Sequence, residues 1–360
     1  MYLIDDTDGF VMIDCGVYGD HYFELLSKKL EEIDISFSEI KLLIGTHMHS
    51  DHIGLSEKIR GQGIPFALYK NSIDFLDKYN DWTMRYKELK DYAITQGAPK
   101  SFINNISEIK TPHYAGTVSK PDFLLEEGRI KNLNREIITL FTPGHDITEI
   151  SLHDTSSKVI FSGDHILPKI TPFIPTESKN SDMLAKYTES LDKVERIEHD
   201  LIAPGHGELI SEPHNRIKQM KLHHTRRSEK ILTILEEKSF TGWEMVNNVF
   251  PRKLDEMNLR LAFQETMAHL KYLENLGKMY LKLVERYSQR ANWRGYTYID
   301  EMRGQALLQL AMIGLQFNEA KSDNPFAYYT AAITNSFTRV LNIEKRNQNI
   351  RDDILIDSGH

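Results

Sequence analysis

The stretch THMHSDHIG, residues 46–54, puts four metal-binding side chains into six positions: His47, His49, Asp51 and His52. No other feature restricts the fold as tightly, because such groups converge only where a rigid element ends just before them. Three further segments share the form, an apolar run closing on a glycine-flanked His or Asp: TPGH at His145, FSGD at Asp164 and APGH at His206. One His after Pro-Gly reads as an ordinary turn residue. Four such sites, each at the end of an apolar run, read as one ligand set gathered from several strand ends.

The runs between these sites supply the scaffold. Apolar MYLI and FVMID flank DDTDG, where Asp8-Gly9 offers the positive φ of a tight hairpin turn. HYFELLSKKLEEI has helical spacing, KLLIG and FALYK read as strands, and DHIGLSEKIR reads as a helix start. Residues 71–105 are helical and rich in aromatics, suited to a lid or one wall of a pocket. DFLLEEGRI, REIITLFTPG, TEISLHD and KVIFSGD follow as strands, then the helix SDMLAKYTESLDKVERI and the strand-to-loop unit DLIAPGHG. Strands that feed ligand loops, with helices between them, predict an α/β layered fold with its chemistry at strand C-termini.

The ligand count bears on stoichiometry. A catalytic zinc takes three protein ligands and a water. Seven candidates, one a carboxylate able to bridge, exceed what one ion needs. His47, His49 and His145 are expected to hold a first metal and Asp51, His52 and His206 a second, with Asp164 between them. The expected cofactors are two divalent ions, zinc first, with manganese or ferrous iron as alternatives.

This motif set over residues 1–212 resembles the metallo-β-lactamase fold superfamily, which implies an αββα sandwich. Asp14 in FVMIDCG matches that family's first motif, where the Asp supports the ligands. The family usually has another strand before the hairpin, so the edge of the first sheet is expected to be missing or unprotected. His49 stands where redox diiron members carry a carboxylate, which argues against that role. Asp164 together with His52 resembles the broad hydrolase branch of thioesterases, glyoxalase-II-like enzymes, lactonases and nucleases. The interval from Asp164 to His206 leaves no room for the large inserted domain of RNA-processing members.

The resemblance implies a mechanism in which two ions share a water, lower its pKa toward about 7 and direct the hydroxide at a carbonyl or phosphoryl centre. Asp51 is the expected catalytic residue, orienting that hydroxide or taking its proton; a role as ligand alone is the alternative. His165, beside Asp164, reads as a packing residue. The expected substrate is a small-molecule thioester or other activated acyl compound. The alternatives are endoribonuclease or phosphodiesterase chemistry on the same fold.

GDHILPKITPFI, the basic LHHTRR helix and MAHLKYLENLGK resemble members with a C-terminal winged-helix module, placed here at residues 213–284. Its third helix is expected to lead into a strand, KMYLKLV. The module's usual role is structural, as a wall over the active site or a homodimer surface. Residues 285–360 have another character. NWRGYTYIDEM and DNPFAYYTAAITNSFTRVLNIEKR resemble the region-2 part of late-transcription sigma factors of T-even-type bacteriophages. That likeness implies a helical segment able to contact RNA polymerase or DNA, and hence a transcription-associated alternative function. Phe326, Tyr328, Tyr329 and Phe337 are expected to be mostly core.

A net charge of −8 argues against wholesale nucleic-acid or membrane binding. Cys15 is the only cysteine, so there is no intrachain disulfide and no thiolate cluster. The acidic N-terminus lacks a signal-peptide pattern, and no run approaches the ~18 apolar residues of a membrane span. A cytoplasmic location is expected.

Overall fold

The computed structural model describes residues 1–176, 180–316 and 324–357. Met1–Tyr272 form one compact unit and Leu273–His360 a second. The first is built on two five-stranded sheets. One contains β1 (Tyr2–Asp5), β2 (Phe10–Ile13), β3 (Ile40–Ile44), β4 (Phe66–Tyr69) and β5 (Phe123–Leu125) in that order. The first pair is antiparallel and the rest are parallel, which leaves β1 as the outer edge. The other contains β6 (Gly128–Arg129), β7 (Ile137–Phe141), β8 (Ile150–Asp154), β9 (Val159–Gly163) and β10 (Leu201–Pro204), antiparallel except for β9–β10.

Alternation along the strands explains the layering. Successive side chains point to opposite faces, so Leu42 and Ile44 of β3 face the second sheet while Leu43 faces outward onto helices. The inter-sheet core joins Ile4, Val11, Ile13 and Ile44 to Ile137, Ile150 and Leu152. Outside the first sheet, helix Asp20–Glu31 contributes Leu26 and Leu30 to a second core. Outside the second sheet, helices Met183–Glu195 and Pro213–Glu237 supply Leu184, Tyr187, Leu191 and Ile217. Both sheets are therefore covered on both faces, which is why their strands read as nearly unbroken apolar runs. The architecture is the expected αββα sandwich.

Two elements differ from the sequence reading. DFLLEEGRI is not one strand: Phe123–Leu125 closes the first sheet and Gly128–Arg129 opens the second. Gly128, at φ +115°, takes a backbone conformation that other residues rarely adopt, at the point where the chain changes sheets. The second difference is KMYLKLV, which is no strand but part of the helix Glu256–Ser288. The run contains no glycine or proline after Gly277, and Leu276, Tyr280, Val284 and Tyr287 recur at helical spacing in one apolar cluster. Among the described residues no strand follows β10, so the wing of a winged-helix module does not form.

Helices Trp82–Thr95 and Lys100–Ser107 pack against Gly242–Val249 and the start of Glu256–Ser288, through Leu89, Phe102, Val246, Phe263 and Met267. In the second unit, Tyr280, Trp293, Met302, Leu310, Ile333 and Phe337 form a separate core. There Phe337 is fully buried and Tyr329 packs at the core's margin, whereas Phe326 is exposed. Arg339, Lys345, Arg346 and Arg351 lie on the exposed side of helix Pro325–Asp357. Among the described residues no helix is long and apolar enough to cross a membrane.

Candidate metal centre

Five strands deliver the site residues from their C-terminal ends: Asp14 follows β2, His47–His52 follow β3, His145 follows β7, Asp164 follows β9 and His206 follows β10. All seven candidate ligands meet in one place. His49 Nδ1 lies 2.9 Å from His47 Nε2 and 3.0 Å from His145 Nε2. His206 Nε2 lies 3.2 Å from His52 Nε2 and 3.1 Å from Asp51 Oδ2. Asp164 stands between these groups. Its Oδ2 is 3.7 Å from His145 Nε2, while its Oδ1 is 3.4 Å from His52 Nε2 and 3.5 Å from His206 Nε2.

The atoms that face inward fit a metal better than each other. A neutral imidazole has one N–H, and for several rings that proton is already committed on the outer side. His145 Nδ1 donates to the Phe173 carbonyl at 2.7 Å, and His52 Nδ1 donates to Asp14 Oδ2 at 2.8 Å. In the neutral form of each ring the Nε2 atom then carries a lone pair toward the centre. Asp164 Oδ1 is buried with no hydrogen-bond donor. Lone pairs crowded at about 3 Å repel one another unless a proton or a cation lies among them, and a divalent cation would answer several of these atoms at once. The sets His47/His49/His145 and Asp51/His52/His206 each bring one ligand atom per residue close enough to hold an ion, and His47/His52/Asp164 connects them.

Local backbone features hold this geometry. Asp14 adopts φ +58°, unusual for a non-glycine residue. In that conformation it accepts from Thr46 N–H at 2.8 Å, from Thr46 Oγ1 at 2.9 Å and from His52. It thus ties the β2 loop to the β3 loop and aims His52. Gly205 allows the last loop to approach: a Cβ there would lie 2.4 Å from Asp164 Oδ1 and 2.7 Å from the His52 ring.

Electrostatics follow the same division. Burial, reinforced by the surrounding imidazoles, holds His47 and His49 neutral, well below the usual histidine range. Burial would also lower His52, yet Asp14 and Asp164 raise it well above that range. The hydrogen bond to Asp51 raises His206. Burial opposes ionisation of Asp51 and Asp164, but His206 for the first and His52 for the second keep both carboxyls low.

One participant is not legible in the sequence as a site residue. Glu149, fully buried at the start of β8, has Oε1 accepting the Asp164 N–H at 2.9 Å and lying 3.9 Å from His47 Nδ1. A lone Glu before an apolar strand reads as a surface residue, and no spacing rule marks it. His165 is fully buried and packs edge-on to Tyr187, as a packing residue should.

A cavity of about 380 Å³ opens beside the cluster. His49, Asp51 and His145 form one side, and Tyr79, Trp82 and Phe173 are among the aromatics that line it. The helical segment read as a pocket wall therefore is one.

Comparison with known proteins agrees with the geometry. A profile of the metallo-beta-lactamase superfamily matches residues 1–206, and one of a metallo-beta-lactamase-like C-terminal domain matches residues 228–288. The probable metallo-hydrolase YqjP of Bacillus subtilis is 26% identical, over 76% of this chain and 87% of its own. The acyl-coenzyme A thioesterase MBLAC2 of Homo sapiens is 30% identical, over 46% of this chain and 55% of its own. A solved metallo-beta-lactamase family protein from Thermus thermophilus superimposes with a TM-score of 0.63 at 25% identity, covering 77% of this chain and 88% of that one. The chain belongs to the metallo-β-lactamase superfamily, as one of its metallo-hydrolases.

Proposed function

We propose that this chain is a dinuclear-metal hydrolase of thioesters or other activated acyl compounds. The observation that carries the two-ion part is Asp164, whose two oxygens face different nitrogen clusters. These residues would hold two divalent ions, zinc by the chemistry of the donors, which would supply a bound water with its pKa lowered from about 15.7 toward about 7 and a Lewis acid for a carbonyl oxygen. The chain's own residues position the reactants. His47, His49 and His145 surround the first position, and Asp51, His52 and His206 the second. Asp51, with its side chain 45% exposed, lies on the solvent side, where a carboxylate oxygen can orient an attacking water or receive its proton. Asp14 keeps the His52 proton on Nδ1, which leaves Nε2 free as a ligand.

The acyl assignment rests on the cavity. Phe75, Tyr79, Trp82, Phe173 and Leu261 give the cavity apolar surface for an acyl group next to the reactive centre, while Lys78, Arg85 and Glu88 in the same lining add charge. The likeness to the acyl-coenzyme A thioesterase MBLAC2 points the same way. A panel of thioesters, lactones, β-lactams, phosphodiesters and RNA, offered to zinc- and manganese-loaded protein, tests the reading. Chelator-sensitive turnover of thioesters, lost in His49→Ala, is the expected result. Cleavage of RNA with every acyl substrate untouched would move the assignment to phosphodiester hydrolysis.

A further inference from the structure

Residues 167–176 form neither helix nor strand, yet they hold part of the centre in place. Phe173 and Pro175 line the cavity, and the Phe173 carbonyl accepts the His145 Nδ1–H at 2.7 Å. A carbonyl on an irregular segment keeps its position only if something outside the segment fixes the backbone. Fully buried Ile166 and Ile174 pin the two ends, but Lys169 and Ile170 between them are exposed. Among the described residues the backbone of this segment makes two other hydrogen bonds, and both come from Arg216. Its Nε donates to the Leu167 carbonyl at 2.6 Å and its Nη2 to the Ile170 carbonyl at 2.8 Å.

Helix stability does not account for a guanidinium at this place. Arg216 sits in the first turn of helix Pro213–Glu237, where the helix dipole disfavours a cation. It is half-buried, and no carboxylate among the described residues pairs with it; its remaining nitrogen, Nη1, donates to Gln219 Oε1 at 3.1 Å. The planar fork does account for it. Nε and Nη2 together grip two carbonyls three residues apart, a geometry that a flexible ammonium reproduces less rigidly. The start of the loop is held by other groups: Ser162 Oγ donates to the Ile166 carbonyl and Tyr187 Oη to the His165 carbonyl, each at 3.0 Å. Asp164 is thereby insulated from Arg216. His145 is not.

We propose that Arg216 is a positioning residue for the metal centre. By fixing the Leu167 and Ile170 carbonyls it holds the Phe173 carbonyl that orients the His145 ring, and so it sets the affinity of the His47/His49/His145 position. The inference rests on the two-ion reading of the centre and not on the acyl assignment. Competition with a chromophoric chelator would give the zinc affinities of the full chain. Isotope labelling of the histidines would report, by nuclear magnetic resonance, how fast the ring N–H protons of His145 and His52 exchange with solvent. Arg216→Met, which keeps an apolar stem, should weaken one zinc affinity about tenfold, the lower end for groups that orient a ligand, and leave the other within about twofold. Exchange should quicken at His145 but not at His52, whose proton goes to Asp14. Arg216→Lys should recover part of both effects; if the Met variant does not fold, the Lys variant should show the same two changes in smaller size against the unaltered chain. Unchanged affinities, equal losses at both positions, or exchange that quickens equally at the two rings overturns the proposal. If the unaltered chain holds only one ion, the two-ion reading is what fails, and Arg216 stands or falls by the exchange at His145 against that at His52.

Discussion

Asp14 and Glu149 show how much of the centre is set by residues that need not touch a metal. Asp14 holds a left-handed backbone conformation that costs of order 1–3 kcal/mol, and in return it receives three hydrogen bonds that fix Thr46 and His52. Asp14→Ala should weaken metal binding about 10–100-fold, measured by competition with a chromophoric chelator, with Asp14→Asn milder because it keeps an acceptor. Glu149 reaches Asp164 only through the Asp164 N–H. Glu149→Gln retains that acceptor and should keep its metals, whereas Glu149→Ala should lose them more readily in the same assay. Equal retention by the two variants would show that the hydrogen bond does not position Asp164. The seven candidate ligands were legible in the sequence because four of them crowd into His47–His52 after one apolar run and the other three each end an apolar run beside a glycine. Glu149 was not, because its role depends on a strand 15 residues away in the chain.

At the scale of elements, the strands were legible from alternation and from turn residues, while KMYLKLV was not. Its apolar residues satisfy both a strand and a helical stripe, and tertiary packing through Tyr280 and Val284 decides for the helix. The boundary inside DFLLEEGRI was hidden for a related reason: a two-residue step between sheets leaves no gap in the apolar pattern. The helices also carry a buried polar seam that no motif announces. Ser228 Oγ lies 3.0 Å from His269 Nδ1, His269 Nε2 lies 3.3 Å from His224 Nδ1, and His224 packs on Tyr187. Burial, aided by His223 and Arg227, pushes His224 down to about 3, and burial likewise holds His269 well below 6.5. Both rings are neutral in the folded chain and take up protons only on unfolding. Their contribution is thus complete above about pH 6.5 and is lost as pH falls below it, at about 1.4 kcal/mol per pH unit for each proton. Urea midpoints should fall between pH 7.5 and 5.5, and fall less steeply in His224→Gln than in the unaltered chain. Parallel slopes would remove the seam as the cause.

For the whole molecule, every candidate ligand and every cavity residue named here lies at or before Gln264, within the first unit. A chain ended after Ser288, at the close of the long helix, should keep its metals and its turnover. It should be less soluble, because Tyr280, Val284 and Tyr287 lose the partners of their core. Loss of activity would place the second unit in the catalytic machinery. The sigma-like resemblance of that unit makes contact with RNA polymerase a proposal of its own, checked by whether the full chain retains bacterial polymerase in a pull-down and whether Arg339→Glu with Arg346→Glu abolishes it. The central claim is simpler: one chain holds two ions across Asp164. Elemental analysis of the purified full chain, saturated with zinc and then freed of loosely held metal by gel filtration, tests it most directly. The account predicts two ions per chain, with Asp164→Ala losing occupancy at both positions; one ion per chain, unchanged in that variant, would contradict it.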